Sequence, residues 1–264
     1  MIKPIVQKEF LKKQWGVDPD IYFGFYESNV GILIDPISDP VWINDNSIFK
    51  VAVQAEPPSV NNYSVEKYLL KNGIKYDLIL TYYESILSQS NNSVLNHFGG
   101  TWIKEIKKDF EKNRNVSFIT SDKNFAVGHK VRMKTIERLG GKFDLFGRGF
   151  NEIPNKMIGL ENYKYSIVIE NEFMKNWFTE KIIDCFMTKT IPIYKGCPNI
   201  GDFYEEKGII KFETIDELEQ ILNSLDEDTY QNMIEYIEKN YETALKDPPF
   251  EKRVEKTIKK YAIK

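Results

Sequence analysis

The chain has 264 residues, 36 of them basic and 39 acidic, and its net charge of −3 makes neither a nucleic-acid backbone nor an anionic membrane the expected partner. Its two cysteines, Cys185 and Cys197, fall in no CxxC pattern and have no neighbouring His, so no zinc site is expected and a reduced, cytoplasmic setting is. No stretch approaches the roughly 18 apolar residues that span a bilayer, and the opening MIKPIVQKEFLKKQW lacks the apolar core of a signal peptide, so a soluble chain with room for two compact lobes is expected.

Short β-rich runs come first, at Ile21 to Phe25, Val30 to Ile34 and Phe49 to Val53, separated by turn residues. A helix over Val65 to Lys71 stops at Gly73 and leads into the strand YDLILTY. The charged stretch from Lys104 to Arg114 reads as the crossing into a second lobe, which divides the chain into 1–115 and 116–264. There the alternation is plain. VSFIT is a strand, SDKNFAVG a loop, HKVRMKTIERLG an amphipathic helix, and KFDLFG, YKYSIVIENE and TIPIYKG are strands, with TEKIIDCFMTK a helix before the last of them. IDELEQILNSL and TYQNMIEYIEKNYETAL are helical and close the chain. Strand and helix in this order build an α/β protein with a doubly wound, Rossmann-like second lobe.

In open parallel sheets the ligand lies beyond the carboxyl ends of the strands. YSIVIEN delivers Glu170 and Asn171 to such an end, and the next helix starts at Thr179, a natural N-cap, with Glu180 and Lys181 in its first turn. First-turn amides and the Lys181 charge can hold a diphosphate, and the Glu180 carboxylate can accept from both hydroxyls of a ribose. The same pair also reads as a carboxylate complementing the helix dipole beside a solvated lysine. Arg132 shares a helical face with Ile136 and Leu139, so it either reaches the same anion or covers the core edge with its stem. In KVAVQAEPPSV the strand ends at Glu56, held extended by Pro57, where a carboxylate facing a cleft can act as general base or simply belong to a turn.

Other signals are weaker. DPD at Asp18 to Asp20 reads as a turn and DED at Asp226 to Asp228 as a helix start, so no metal is expected. His97 and His129 lack triad partners, and neither GxxxxGK[ST] nor GxGxxG occurs.

Taken together, YKYSIVIENEFMKNWFTEKIIDCFMTKTIPIYKGCPNIGDF resembles the C-terminal signature of the family 10 glycosyltransferases, the α1,3/α1,4-fucosyltransferases: a strand ending in Glu-Asn, a gap, Thr-Glu-Lys, a helix, and a strand like Val-Pro-Val. VRMKTIERLGGKFDLFGRG is similar to that family's Arg-led helix and following strand, YDLILTYYES to its Ser-Tyr-Arg strand, and AEPPS to its Glu-Ser-Pro-Ser. The likeness runs over roughly residues 45 to 245. It implies a two-lobed GT-B fold with an acceptor-side lobe first and a donor lobe second, no cofactor or metal, GDP-fucose as donor, a glycan acceptor, and inversion at the sugar carbon. By position it makes Glu56 the base, sets Arg132 and Lys181 against the leaving GDP, gives Glu180 the ribose, and places Glu170, Asn171, Trp177 and Thr179 at the donor site. The chain departs from the pattern at Tyr83, Glu172, Asn176 and Trp177. A non-catalytic nucleotide-sugar or glycan-binding protein, or a transferase using another nucleotide-sugar, fits the same residues.

Overall fold

A computed structural model describes residues 30–40 and 43–262, so the expected strand at Ile21 to Phe25 and the Asp18 to Asp20 turn lie outside the described residues. The described residues form two compact units, one within residues 1–98 and 249–264 and one of residues 99–248.

The first unit carries β1 (Val30–Ile34), β2 (Phe49–Val53), β3 (Leu78–Thr81) and β4 (Ser93–Leu95) in one parallel sheet of that order. Period-two alternation puts Ile32 and Ile34, Val51 and Val53, and Leu78 and Leu80 on one face. That face is covered by α8 (Phe250–Ala262), which buries Phe250, Val254 and Ile258 against it. The alternate residues Leu33, Ala52 and Ile79 are also buried, as the near-continuous apolar strands of a parallel sheet require. Two short helices, α1 (Pro58–Asn61) and α2 (Ser64–Asn72), link β2 to β3, and α3 (Glu84–Leu87) links β3 to β4.

The second unit is a five-stranded parallel sheet of β5 (Arg114–Ile119), β6 (Asp144–Phe146), β7 (Tyr163–Ile169), β8 (Ile191–Lys195) and β9 (Ile210–Lys211), in the order β6-β5-β7-β8-β9. The strand order reverses at β5, so the gap between the ends of β5 and β7 is the topological switch point. Two helices frame it: α4 (Val127–Leu139) follows β5 and α5 (Glu180–Met187) follows β7. Thr179 caps α5 as its position in the sequence implies. Two further helices, α6 (Ile215–Ser224) and α7 (Glu227–Lys246), follow β9, and Asp226 of the DED stretch is the N-cap of α7, accepting from the Thr229 amide at 2.7 Å.

The division of the chain differs from the expected 1–115 and 116–264 in two ways. Residues 99–113 hold no regular element, yet they belong to the second unit: Ile103 is buried in its core, Thr101 Oγ1 donates to Asp184 at 2.7 Å, and Lys107 pairs with Glu161 at 2.7 Å. Charge density along the sequence marked the stretch as a crossing, but Lys107, Lys112 and Arg114 are tied to Glu161, Thr190 and Asp144, far along the chain. At the other end, α8 returns to the first unit because its apolar face matches the open face of that sheet.

Candidate active site

The site grows from the end of β7. Glu170, the first residue beyond the strand, is fully buried and makes no solvent-facing surface. Its Oε1 accepts from the Thr179 amide at 2.8 Å and its Oε2 from the Thr179 hydroxyl at 2.8 Å. A buried carboxylate must be satisfied in this way, and here the satisfaction ties the end of β7 to the start of α5. Thr179 Oγ1 in turn accepts from Lys181 Nζ at 3.0 Å, which lies 3.7 Å from Glu170 and 3.5 Å from Glu180.

On the opposite side α4 presses its first turn onto the same strand end. The Gly128 amide donates to Asn171 O at 3.0 Å, and a β-carbon on Gly128 would stand 1.7 Å from Glu170 O. Only glycine permits this approach. One turn on, Arg132 is buried; its Nε donates to Ile169 O at 2.8 Å, and its Nη2 donates to that carbonyl and to Asn171 Oδ1, the latter at 2.8 Å. Burial lowers the guanidinium to about 10, so it remains cationic at neutral pH. His129 accepts from the Ala126 amide at 3.1 Å, and burial together with the Arg132 charge lowers it to about 4.

A second charge cluster completes the wall. Lys156 stands 3.0 Å from Glu180 and 2.8 Å from Asp184, under the ring of Trp102 at 4.2 Å. Burial pushes Glu180 upward, but the ammoniums of Lys156 and Lys181 outweigh it and hold the carboxyl well below the usual range. Asp184 is raised by burial in spite of Lys156, and it accepts from Thr101 Oγ1 and, at 2.8 Å, from the Trp102 amide.

These groups enclose a cavity of about 420 Å³ at the switch point of the second sheet. Of the residues singled out in sequence, Arg132, Asn171, Glu180 and Lys181 line it. Glu170, Trp177 and Thr179 do not. Trp177, expected at the donor site, is 1% exposed and sits inside the fold, while Glu170 and Thr179 stand behind the wall and brace it. Their polarity drew notice in the sequence, but burial decides whether a polar group faces ligand or backbone. Lys123, Arg148, Lys156, Asp184 and Trp102 line the cavity without having been singled out. Asp184 had a signal, lying four residues after Glu180 on one helical face. Trp102, Lys123 and Arg148 come from loops and Lys156 from the start of a 3₁₀ turn at Lys156–Gly159, and their spacing carries none.

Glu56 belongs to the first unit, beyond β2, which ends at Val53 rather than at the expected Glu56. Its amide donates to Asp35 Oδ2 at 3.1 Å and its carbonyl accepts from Tyr82 OH at 2.6 Å and Asn61 Nδ2 at 3.0 Å, so its backbone is held on three sides. Asp35, just past β1, has φ +47° and also accepts from the Ala55 amide at 2.9 Å; burial pushes its carboxyl up to about 7. Tyr83 is buried and stacks on Tyr82 with ring centroids 4.9 Å apart. Among the described residues, no group of three or more His, Cys, Asp or Glu could hold a metal ion, and no helix is long and apolar enough to cross a membrane.

Comparison with known proteins places this geometry. The chain is similar to the α-(1,3)-fucosyltransferase FucT of Helicobacter pylori, at 30% identity over 135 residues, which is 49% of this chain and 27% of that protein. The chain thus matches about a quarter of the length of that relative. In structure it is similar to an α1,3-fucosyltransferase crystallised with GDP, with a TM-score of 0.55 at 16% identity over 86% of this chain and 76% of the other. TarM gives a TM-score of 0.58 at 17% identity over 88% of this chain and 55% of that one. These likenesses establish the GT-B fold. Glycosyltransferase family 10 (fucosyltransferase), in its C-terminal part, matches residues 110–257, and the chain, more than half of it so matched, belongs to that family.

Proposed function

We propose that the protein is an inverting, metal-independent glycosyltransferase that moves fucose from GDP-fucose to a hydroxyl of a glycan acceptor. The observation that carries this is the charge of the cavity at the switch point: Lys123, Arg132, Arg148, Lys156 and Lys181 line it against only Glu180 and Asp184. A nucleoside diphosphate is the small anion that matches such an excess of fixed cations, and a developing phosphate charge can be neutralised by cations in the role a metal serves elsewhere. In this reading Glu56 takes the proton of the acceptor hydroxyl, and the oxygen attacks the anomeric carbon from the side opposite the diphosphate. The carbon–oxygen bond to GDP breaks, and the charge left on the β-phosphate meets Arg132 and Lys181. Glu180 keeps carboxylate capacity for the ribose hydroxyls while bound to Lys156.

Family membership supports a glycosyl transfer; the choice of GDP-fucose rests on the resemblance of the Glu-Asn and Thr-Glu-Lys stretches. Thermal unfolding with GDP, UDP or ADP, each with and without EDTA, tests the donor. At a hundred times its dissociation constant the right nucleotide stabilises by about 2.7 kcal/mol. Selective, EDTA-insensitive stabilisation by GDP is expected. In transfer assays Glu56→Gln should cost on the order of a hundredfold or more in kcat. GDP binding with no turnover of any GDP-sugar would instead identify a non-catalytic binder on this fold.

A further inference from the structure

The cations named above are not equally available to a ligand. Arg132 gives its Nε and Nη2 donors to Ile169 O and Asn171 Oδ1. Lys156 lies between two carboxylates, and Lys181 is shared among Thr179, Glu170 and Glu180. Most of their donors are taken up within the protein, although Arg132 bonds only neutral oxygens and keeps its charge. Arg148 differs: it lines the cavity, it is exposed, and no ion pair or side-chain hydrogen bond joins its guanidinium to another described residue. Lys123 lies 6.0 Å from the ring of Phe125, on the exposed rim.

The backbone beneath Arg148 is held closely. Its neighbours Gly147 and Gly149 have φ of +116° and +85°, and a β-carbon on either would meet Thr120 O at 1.8 Å or the Asp122 side chain at 2.7 Å. The Thr120 amide donates to Phe146 O at 2.9 Å, the Asp122 amide to Arg148 O at 3.2 Å, and the Gly147 amide to Asn151 O at 2.8 Å. Two glycines thus let the segment after β6 lie flat on the segment after β5, at one lip of the switch point. A free guanidinium on a fixed base at the mouth of a cationic cavity is suited to grip a phosphate with a bidentate fork.

We propose that Arg148 is a donor-binding residue that takes phosphate oxygens of the bound nucleoside diphosphate, a contact additional to Arg132 and Lys181. This rests on reading the cavity as a nucleoside-diphosphate site. The test is calorimetric titration of the wild-type chain and of Arg148→Ala and Arg148→Lys with GDP and with guanosine. Arg148→Ala should weaken GDP about tenfold or more and leave guanosine unchanged, with Arg148→Lys intermediate because it keeps the charge and loses the fork. In transfer assays KM for the donor should rise with kcat nearly unchanged. Equal GDP affinity in Arg148→Ala and wild type would overturn the assignment while leaving the diphosphate site in place. An equal loss for GDP and guanosine would also overturn it, since the phosphates would not be what Arg148 holds. A wild-type chain that binds no nucleoside diphosphate would instead remove the reading on which the assignment stands.

Discussion

Lys156 shows how a residue without any sequence signal can hold a site together. It offsets two carboxylates that burial would otherwise make costly, and it does so from a short turn between strands. Lys156→Ala leaves Asp184 without its cation and Glu180 with Lys181 alone, and breaking a buried pair from one side costs about 3–5 kcal/mol. Urea unfolding at pH 7 should show a loss of that order. The Asp184 carboxyl, raised by burial even with Lys156 beside it, then lies further above its unfolded value, so the folded state binds more protons and regains stability as pH falls. The deficit of Lys156→Ala should therefore shrink between pH 7 and pH 5, and Asp184→Asn added to it should recover part of the loss. A deficit independent of pH would mean that the lysine does not act by offsetting these carboxylates.

At the scale of elements, the cavity exists because two helices start close to one strand end. The α4 start lies against the backbone of Glu170 and Asn171 through Gly128, and the α5 start is locked to the Glu170 side chain through Thr179. Gly128→Ala must push α4 off β7, because the clash at 1.7 Å is with backbone rather than with a flexible side chain. Overpacking of this kind costs about 1–3 kcal/mol or more. The shift also moves Arg132, one turn along, away from Ile169 O and Asn171. The expected outcome is a lowered Tm together with weakened nucleotide binding, read by thermal unfolding with and without GDP. A variant with a lowered Tm and unaltered GDP affinity would show that the α4 start does not set the site.

For the whole molecule, the return of α8 to the first unit is the feature with the largest consequence. Phe250, Val254 and Ile258 are buried against β2 and β3, and burying each such side chain contributes about 1.5–3 kcal/mol. A chain ended at Pro248 exposes the apolar face of the first sheet, formed by Ile32, Val51, Val53 and Leu80. Such a chain should lose the unfolding transition of its first unit, seen by limited proteolysis as early cleavage before residue 99, with residues 99–248 persisting. Equal protease resistance of both units in that chain would show that α8 is dispensable.

Local pattern was enough for much of this. Short β-branched runs named β1, β2, β5, β7 and β8, an amphipathic repeat named α4, and Glu-Asn followed by Thr-Glu-Lys named the strand end and helix start where the cavity lies, because these features depend on residues near one another in the chain. What the sequence left out depends on distance. Whether Glu170 faces ligand or braces a helix, whether Trp177 lines a site or fills a core, and that Lys156, Arg148 and Trp102 converge on one cavity are decided by packing between segments far apart in sequence. The assignment of residues 99–113 and of α8 to their units has the same cause, since an apolar face has a meaning only once its partner is in place.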